Sequence, residues 1–215
     1  MQVRQYPFLS LCLLSLMVFT ASIISFIYFD KPLAVIFHLQ LTSQWYNIAN
    51  LITQAGLGGT YVIGLGILFA LSFWIRSLAP WRSQIQYCWL TVCIAGLSCD
   101  LIKILCGRAR PNEWFKHQHY GFYGWSTHSQ FWSFPSGHTT VFIALMVAIT
   151  QLYPRYRWSC LLAGISIAAT RVILNKHYLS DVLVGAYLGC CSAYFIAKFT
   201  NLTQGNTFSQ HFAKV

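Results

Sequence analysis

Residues 85–105, IQYCWLTVCIAGLSCDLIKIL, run without a turn signal into residues 106–111, CGRARP. The first part has the length of a bilayer crossing, for which a helix needs about 20 mainly apolar residues. Asp100 and Lys103 stand near its end, and Arg108 and Arg110-Pro111 follow directly. Charges at the edge of a bilayer are costly to place and usually functional. The stretch predicts a spanning helix whose final turns carry chemistry.

Working outward, comparable apolar runs occupy 7–29, 56–76, 138–153, 158–175 and 181–198, giving six spans in all. The last three are short, which puts their ends near the headgroups. Residues 31–54 alternate apolar and polar side chains, including Ile36, Phe37, Trp45 and Ile48, and predict an interfacial helix after the first span. Pro80 and Pro154 fall between spans, where helix breaks belong. The run Phe8–Phe29 is longer than a signal-peptide core, and no small-residue cleavage motif precedes Asp30. It is expected to remain as the first span. The fold class is therefore an all-α polytopic membrane protein, with residues 1–215 as one domain and its motifs within about 100–190.

Composition agrees. The chain is 56% hydrophobic and 8% charged, against about 25% charged residues in soluble domains. Its formal charge of +10 comes with only four acids, Asp30, Asp100, Glu113 and Asp181. The cations are scattered among apolar segments without forming a run, which argues against nucleic acid as a partner. The cysteines lie mostly inside apolar runs, without zinc spacing, and read as small hydrophobes.

Counting Lys and Arg by side places Arg4, Arg76, Arg82, Arg155, Arg157, Lys198 and Lys214 together. Lys31, Lys103, Arg108, Arg110, Lys116, Arg171 and Lys176 share the other side. Setting aside Lys103, Arg110 and Arg171 as functional leaves seven against four. The positive-inside rule then puts both termini in the cytoplasm and the polar motifs outside. Arg108 is read as a surface or lipid contact. The second span carries Gly56, Gly58, Gly59, Gly64 and Gly66, and the last carries Gly185 and Gly189. No P-loop lysine follows the first group, so both read as close helix packing.

Three polar islands remain: Lys103 with Arg110, Pro135-Ser136-Gly137-His138, and Arg171 with His177 and Asp181. Arginine forks and a lysine point charge suit a phosphate dianion. Ser136-Gly137-His138 opens a helix, whose N-terminus presents free N–H groups to anions. His177 and Asp181 are four apart, so a helix start there would turn them to one side. A carboxylate accepting one ring N–H would leave the other nitrogen free to attack. Asp100, three residues before Lys103, is a candidate to orient it by an ion pair.

Lys103-x6-Arg110-Pro111, Pro135-Ser136-Gly137-His138 and Arg171-x5-His177-x3-Asp181 together resemble the type 2 phosphatidic acid phosphatase (PAP2) superfamily. The likeness covers about Lys103 to Gly189. The family usually has Ser before the third-motif arginine, where this chain has Thr170. The resemblance implies two-step phosphoryl transfer. His177 would attack phosphorus and carry a phosphohistidine, with Asp181 orienting it. His138 would protonate the leaving group and then activate water. Lys103, Arg110, Ser136, Gly137 and Arg171 would hold the phosphoryl oxygens. It implies no cofactor and no metal.

The expected substrate is a membrane lipid phosphate: phosphatidic acid, phosphatidylglycerol phosphate, undecaprenyl pyrophosphate or a lipid A phosphate. The expected place is a bacterial inner membrane, with the site on its outer face. The motifs equally fit transfer to a second lipid instead of water. A third reading is a phospholipid-binding or transport protein without catalysis. Residues 106–134 are rich in aromatics and histidines, and read either as an aromatic belt or as a lid near the headgroup.

Overall fold

In the computed structural model, residues 8–200 are described, with side chains from Cys12 onward. Arg4 and Lys214 of the charge count, and the first residue of the first expected span, lie outside them. Among the described residues the structure is helical, with isolated bridges only at Arg108. The helices are α1 (Phe8–Ile24), α2 (Asp30–Gln40), α3 (Ser43–Gln54), α4 (Gly58–Leu71), α5 (Arg82–Cys106), α6 (Pro111–His117), α7 (Gly137–Leu152), α8 (Arg157–Ile173) and α9 (Leu179–Phe199).

Among the described residues, four stretches are long and apolar enough to cross a membrane: Cys12–Gln40, Ser43–Leu71, Ala79–Cys106 and Leu179–Phe199. α7 is apolar but shorter, and α8 has 17 residues. The expected helix over 31–54 is in fact two helices. Its first half continues the first span, because a π-helical turn, Ser25–Phe29, joins α1 to α2. Pro32 supplies a physical reason: it cannot donate to the carbonyl four residues back and clashes with it. A widened π turn at that carbonyl relieves the conflict. The chain then turns extended at Leu41 and Thr42 before α3 begins. The expected span 56–76 ends early as a helix, at Leu71.

α7 is the centre, packed against α5, α8 and most extensively α9. The glycines of α9 permit that approach. A Cβ on Gly189 would stand 2.5 Å from the Thr140 carbonyl oxygen, and one on Gly185 would stand 2.9 Å from that of Ser136. Beneath the polar end, Tyr87, Val92, Val141, Leu145, Ala148 and Ala197 form a buried apolar cluster. Large apolar side chains on the outer faces, such as Leu16, Met17, Ile63 and Leu162, are exposed, as lipid-facing residues are.

These packings set one end of the bundle apart. The chain leaves the π turn, α5 and α8 there, and enters α7 and α9 there. All three polar islands are carried by those helix ends.

Candidate active site

The first island turns on Gly107. It caps α5 in the left-handed region at φ 52°, and a Cβ would stand 1.9 Å from the Gly124 carbonyl oxygen. Only glycine fits that backbone and that space. Past it, Arg110 precedes α6, with Pro111 as the first helical residue. Arg110 Nε donates to the Ser129 carbonyl at 2.9 Å, and Nη1 to that of Lys176 at 3.3 Å. Lys103 pairs with Asp100 at 2.8 Å, the contact expected from their spacing. Its ammonium lies over Gly137, where a Cβ would stand 2.8 Å from Nζ. This close approach is the local reason for glycine in the second island.

Ser136 is buried and precedes the first turn of α7, with Gly137 and His138 opening the helix. The first N–H groups of a helix have no partner within it. They therefore face the region where the cations converge. Ser136 Oγ accepts from Thr139, and its backbone N–H donates to the Asp181 carbonyl at 3.1 Å. The second and third islands are joined by that bond.

Arg171 is buried in the last turn of α8. Nη1 donates to Thr53 Oγ1 at 2.9 Å, while its buried Nε has no hydrogen-bond partner among the described residues. A buried guanidinium N–H of this kind is suited to an acceptor such as a phosphoryl oxygen. Its own carbonyl accepts from both Lys176 and His177 N–H, so the chain wraps from Arg171 to His177 in one tight turn. Asn175 takes a left-handed conformation in that turn and is held by donation to the Ala34 carbonyl at 3.1 Å. Thr170 Oγ1 bonds the Ile167 carbonyl of its own helix at 2.6 Å, so its hydroxyl is directed to the backbone.

His177 is buried, and its Nδ1 lies 2.6 Å from the Ser133 carbonyl oxygen. A carbonyl can only accept, so Nδ1 carries the proton and Nε2 keeps its lone pair. Burial first, then the positive field of Arg110 and Arg171, holds the imidazole well below its ordinary pKa. That direction favours the neutral imidazole. His138 opens α7 and shares the lining of one groove with Lys103.

Asp181 lies near His177 as the spacing predicts, but the hydrogen bond differs from the expected one. Asp181 Oδ2 stands 3.8 Å from Nδ1, and the ring N–H goes to Ser133 instead. Oδ2 accepts from Ser133 Oγ at 2.6 Å and from the Tyr178 N–H at 2.8 Å, capping α9. Asp181 therefore holds the residue that holds the histidine.

Arg108 corrects the sequence reading outright. It is fully buried, not a surface or lipid contact. It pairs with Asp181 and, at 2.6 Å, with Asp30, and its guanidinium lies within about 5 Å of the Phe26, Phe122 and Tyr178 rings. A buried Asp30 requires a cation, and asking for its partner was the signal that could have found Arg108. Thr53 and Ser133 were also missed. Residues 106–134 pack against the π turn and α2: Tyr120 stacks on Phe26, Phe115 stacks on His38, and Lys31 lies 4.3 Å over the Tyr120 ring.

A groove of about 590 Å³ opens beside the site, between α4 and α5. Lys103, Gly137 and His138 line one part of it, and Gly59, Val62 and Leu97 are among its apolar and glycine walls. Its lining therefore runs from the polar residues of the site to apolar ones.

The profile of the PAP2 superfamily matches residues 85–204. The chain belongs to that superfamily. It is similar to proteins named lipid A 1-phosphatase from Rhizobium johnstonii and Rhizobium etli. The first is 41% identical over 103 residues, covering 48% of this chain and 42% of that relative. The second is 40% identical over 103 residues, covering 48% and 44%. The chain thus matches less than half the length of these curated relatives. A crystal structure from Bacillus subtilis, described as the first transmembrane PAP2 type phosphatidylglycerolphosphate phosphatase, has the same fold. It aligns with a TM-score of 0.61 at 20% identity, over 93% of this chain and 98% of that one.

Proposed function

We propose that the protein is a membrane lipid phosphatase that works through a phosphohistidine on His177, without a metal. The observation that carries this reading is the buried His177, whose Nδ1 is held by the Ser133 carbonyl so that Nε2 is left free, in the field of Arg110, Arg171 and Lys103. Nε2 attacks phosphorus as the bond to the leaving oxygen breaks, and His138, protonated once the bound phosphate dianion offsets the surrounding cations, gives that oxygen a proton. Water then attacks the phosphohistidine, with His138 taking the water's proton, and phosphate leaves with His177 restored. Lys103, Arg110, Arg171, Ser136 and the Gly137 N–H bind the phosphoryl oxygens throughout. Such chemistry is largely positioning and charge stabilisation. Asp181 serves by orienting the nucleophile's support.

Among lipid phosphates, the likeness to two proteins named lipid A 1-phosphatase favours a phosphomonoester on a glycolipid headgroup. Reading α7 and α8 as two shorter spans beside the four longer ones makes six, and this reading favours a site at one membrane face. Burial of Arg108 removes a further cation from the charge count and leaves only Lys31, Lys116 and Lys176 on that face. This supports an extracytoplasmic site in a bacterial inner membrane, with cytoplasmic termini.

The deciding experiment is release of inorganic phosphate by purified protein in EDTA, across lipid A 1-phosphate, phosphatidic acid, phosphatidylglycerol phosphate and undecaprenyl pyrophosphate. The expected result is full activity in EDTA with lipid A 1-phosphate preferred. No release from any of them, or strict dependence on a divalent metal, would count against the reading. Labelled phosphate appearing on a second lipid would point to transfer instead of hydrolysis.

The groove gives a second test. Gly59 has nothing within 4 Å of where a Cβ would stand, so Gly59→Leu fills space without displacing packed atoms. If the groove takes the lipid tail, kcat/KM for a long-chain substrate should fall about 10-fold, with a short-chain soluble phosphate changed less than about threefold. Equal effects on both substrates would remove the tail from the groove.

A further inference from the structure

Three full charges, Asp30, Arg108 and Asp181, are buried together beside the candidate site, each at 1% exposure or less. Taking ions out of water is costly, and apolar side chains of similar size often serve stability as well or better. Stability alone is a weak reason for this cluster. Its connections run in one direction. Asp30 follows the π turn and is saturated with donors. Ser25 Oγ and the Ser180 N–H bond Oδ1 at 2.9 and 3.0 Å, while Arg108 Nη2 and Ser180 Oγ bond Oδ2. The other arm of the Arg108 fork, Nη1, bonds Asp181 Oδ1 and Ser180 Oγ. That leaves Asp181 Oδ2 for Ser133 Oγ. Ser133 is fixed a second time, by its N–H on the Arg108 carbonyl at 3.0 Å, and it presents its own carbonyl to His177.

We infer that Asp30 and Arg108 are positioning residues for His177, acting through Asp181 and Ser133, so that the first membrane helix is part of the active-site support. This rests on reading His177 as the nucleophile. Asp30 lies outside the 85–204 segment that defines the family, so family membership alone does not bring it in. Each link is a charge-assisted or backbone hydrogen bond, which is short and directional. Two carboxylates against one guanidinium also leave the cluster with net negative charge, which favours the positive charge His177 gains on phosphorylation. Phosphate binding belongs to other groups, Lys103, Arg110 and Arg171. The prediction is therefore a loss in turnover without a loss in phosphate affinity.

The test is Asp30→Asn in the full-length protein, with Ser180→Ala as a milder companion that removes only the bridging hydroxyl. Wild type and His177→Ala are run alongside, using a soluble short-chain phosphate. For Asp30→Asn, kcat should fall about 10- to 100-fold, the scale of small misplacement at a reacting group. For Ser180→Ala the fall should be about threefold or more, at an unchanged thermal unfolding midpoint. The inhibition constant of inorganic phosphate should stay near wild type in both. Wild-type kcat in a folded Asp30→Asn protein would overturn the inference. So would parallel loss of kcat and phosphate affinity, which would mean general collapse of the site. If Asp30→Asn does not fold, unchanged kcat in Ser180→Ala overturns it. Full activity in His177→Ala, or an inactive wild type, overturns the parent reading of function and this inference with it.

Discussion

His177→Ala is expected to lower phosphate release by on the order of 10³-fold or more, the scale seen when the central member of a catalytic unit is removed. The size of the effect follows from what the side chain does here. Its Nδ1–H is committed to the Ser133 carbonyl, so Nε2 is the nitrogen with a lone pair. In the proposed mechanism none of the surrounding cations takes over the attack, since their part is to hold the phosphate. Binding should survive: inorganic phosphate should still compete for the site, with an inhibition constant within about tenfold of wild type. The pH dependence carries a second signature. Protonation would remove the lone pair, and burial with the field of Arg110 and Arg171 lowers the pH at which that happens. The acid limb of the first chemical step in single turnover should therefore lie below about 6.5, the ordinary imidazole value. A limb at or above that value would contradict the assigned environment, and near-normal release by His177→Ala would contradict the assigned nucleophile.

His138→Ala is the second large effect, about 10²- to 10⁴-fold in turnover, as for loss of a general acid–base group. Its two steps should respond differently. With a good leaving group the first step needs little proton donation, so the phosphoenzyme should still form. Water in the second step needs a base, so the phosphoenzyme should accumulate. A variant that is slow in the first step with a good leaving group, yet never accumulates the intermediate, would move the base to another residue.

Much of this architecture was legible in the chain because it depends on long local patterns. The run 85–105 and its polar end announced α5 and Lys103, and Gly185 with Gly189 announced the approach of α9 to α7. The second and third islands could be read because their residues are a few positions apart, at the starts of α7 and α9 and the last turn of α8. The first helix was harder. Residues 31–54 alternate in a way that fits a surface helix, yet the π turn ahead of Pro32 carries the first span on to Gln40. Arg108 was not legible as a site residue, because it stands two positions from Arg110 and looks like a spare surface cation. Its meaning comes from Asp30, 78 positions away, and from the turn at Gly107 that buries it. Ser133 acts on His177 through a backbone carbonyl, a group that every residue has and that leaves no mark in sequence. Thr53 reaches Arg171 from α3, across a contact that no local pattern encodes.

The charges also divide by task once their partners are known. Arg171 keeps a buried Nε without a partner among the described residues, and the Lys103 ammonium lies over Gly137. Arg108 has its Nη groups committed to Asp30, Ser180 and Asp181. Its Nε, like that of Arg171, has no partner among the described residues, but its charge is already answered by two buried carboxylates, so spacing to a motif does not by itself assign a phosphate contact.

The most direct measurement is covalent trapping. Protein carrying His138→Ala is mixed with a ³²P-labelled soluble phosphomonoester with a good leaving group, quenched in alkali, digested and mapped. The account predicts label that is stable to alkali and labile to acid, on the peptide containing His177, and absent when His177→Ala is added. Label on any other residue, or turnover with no labelled protein at any time, would contradict it.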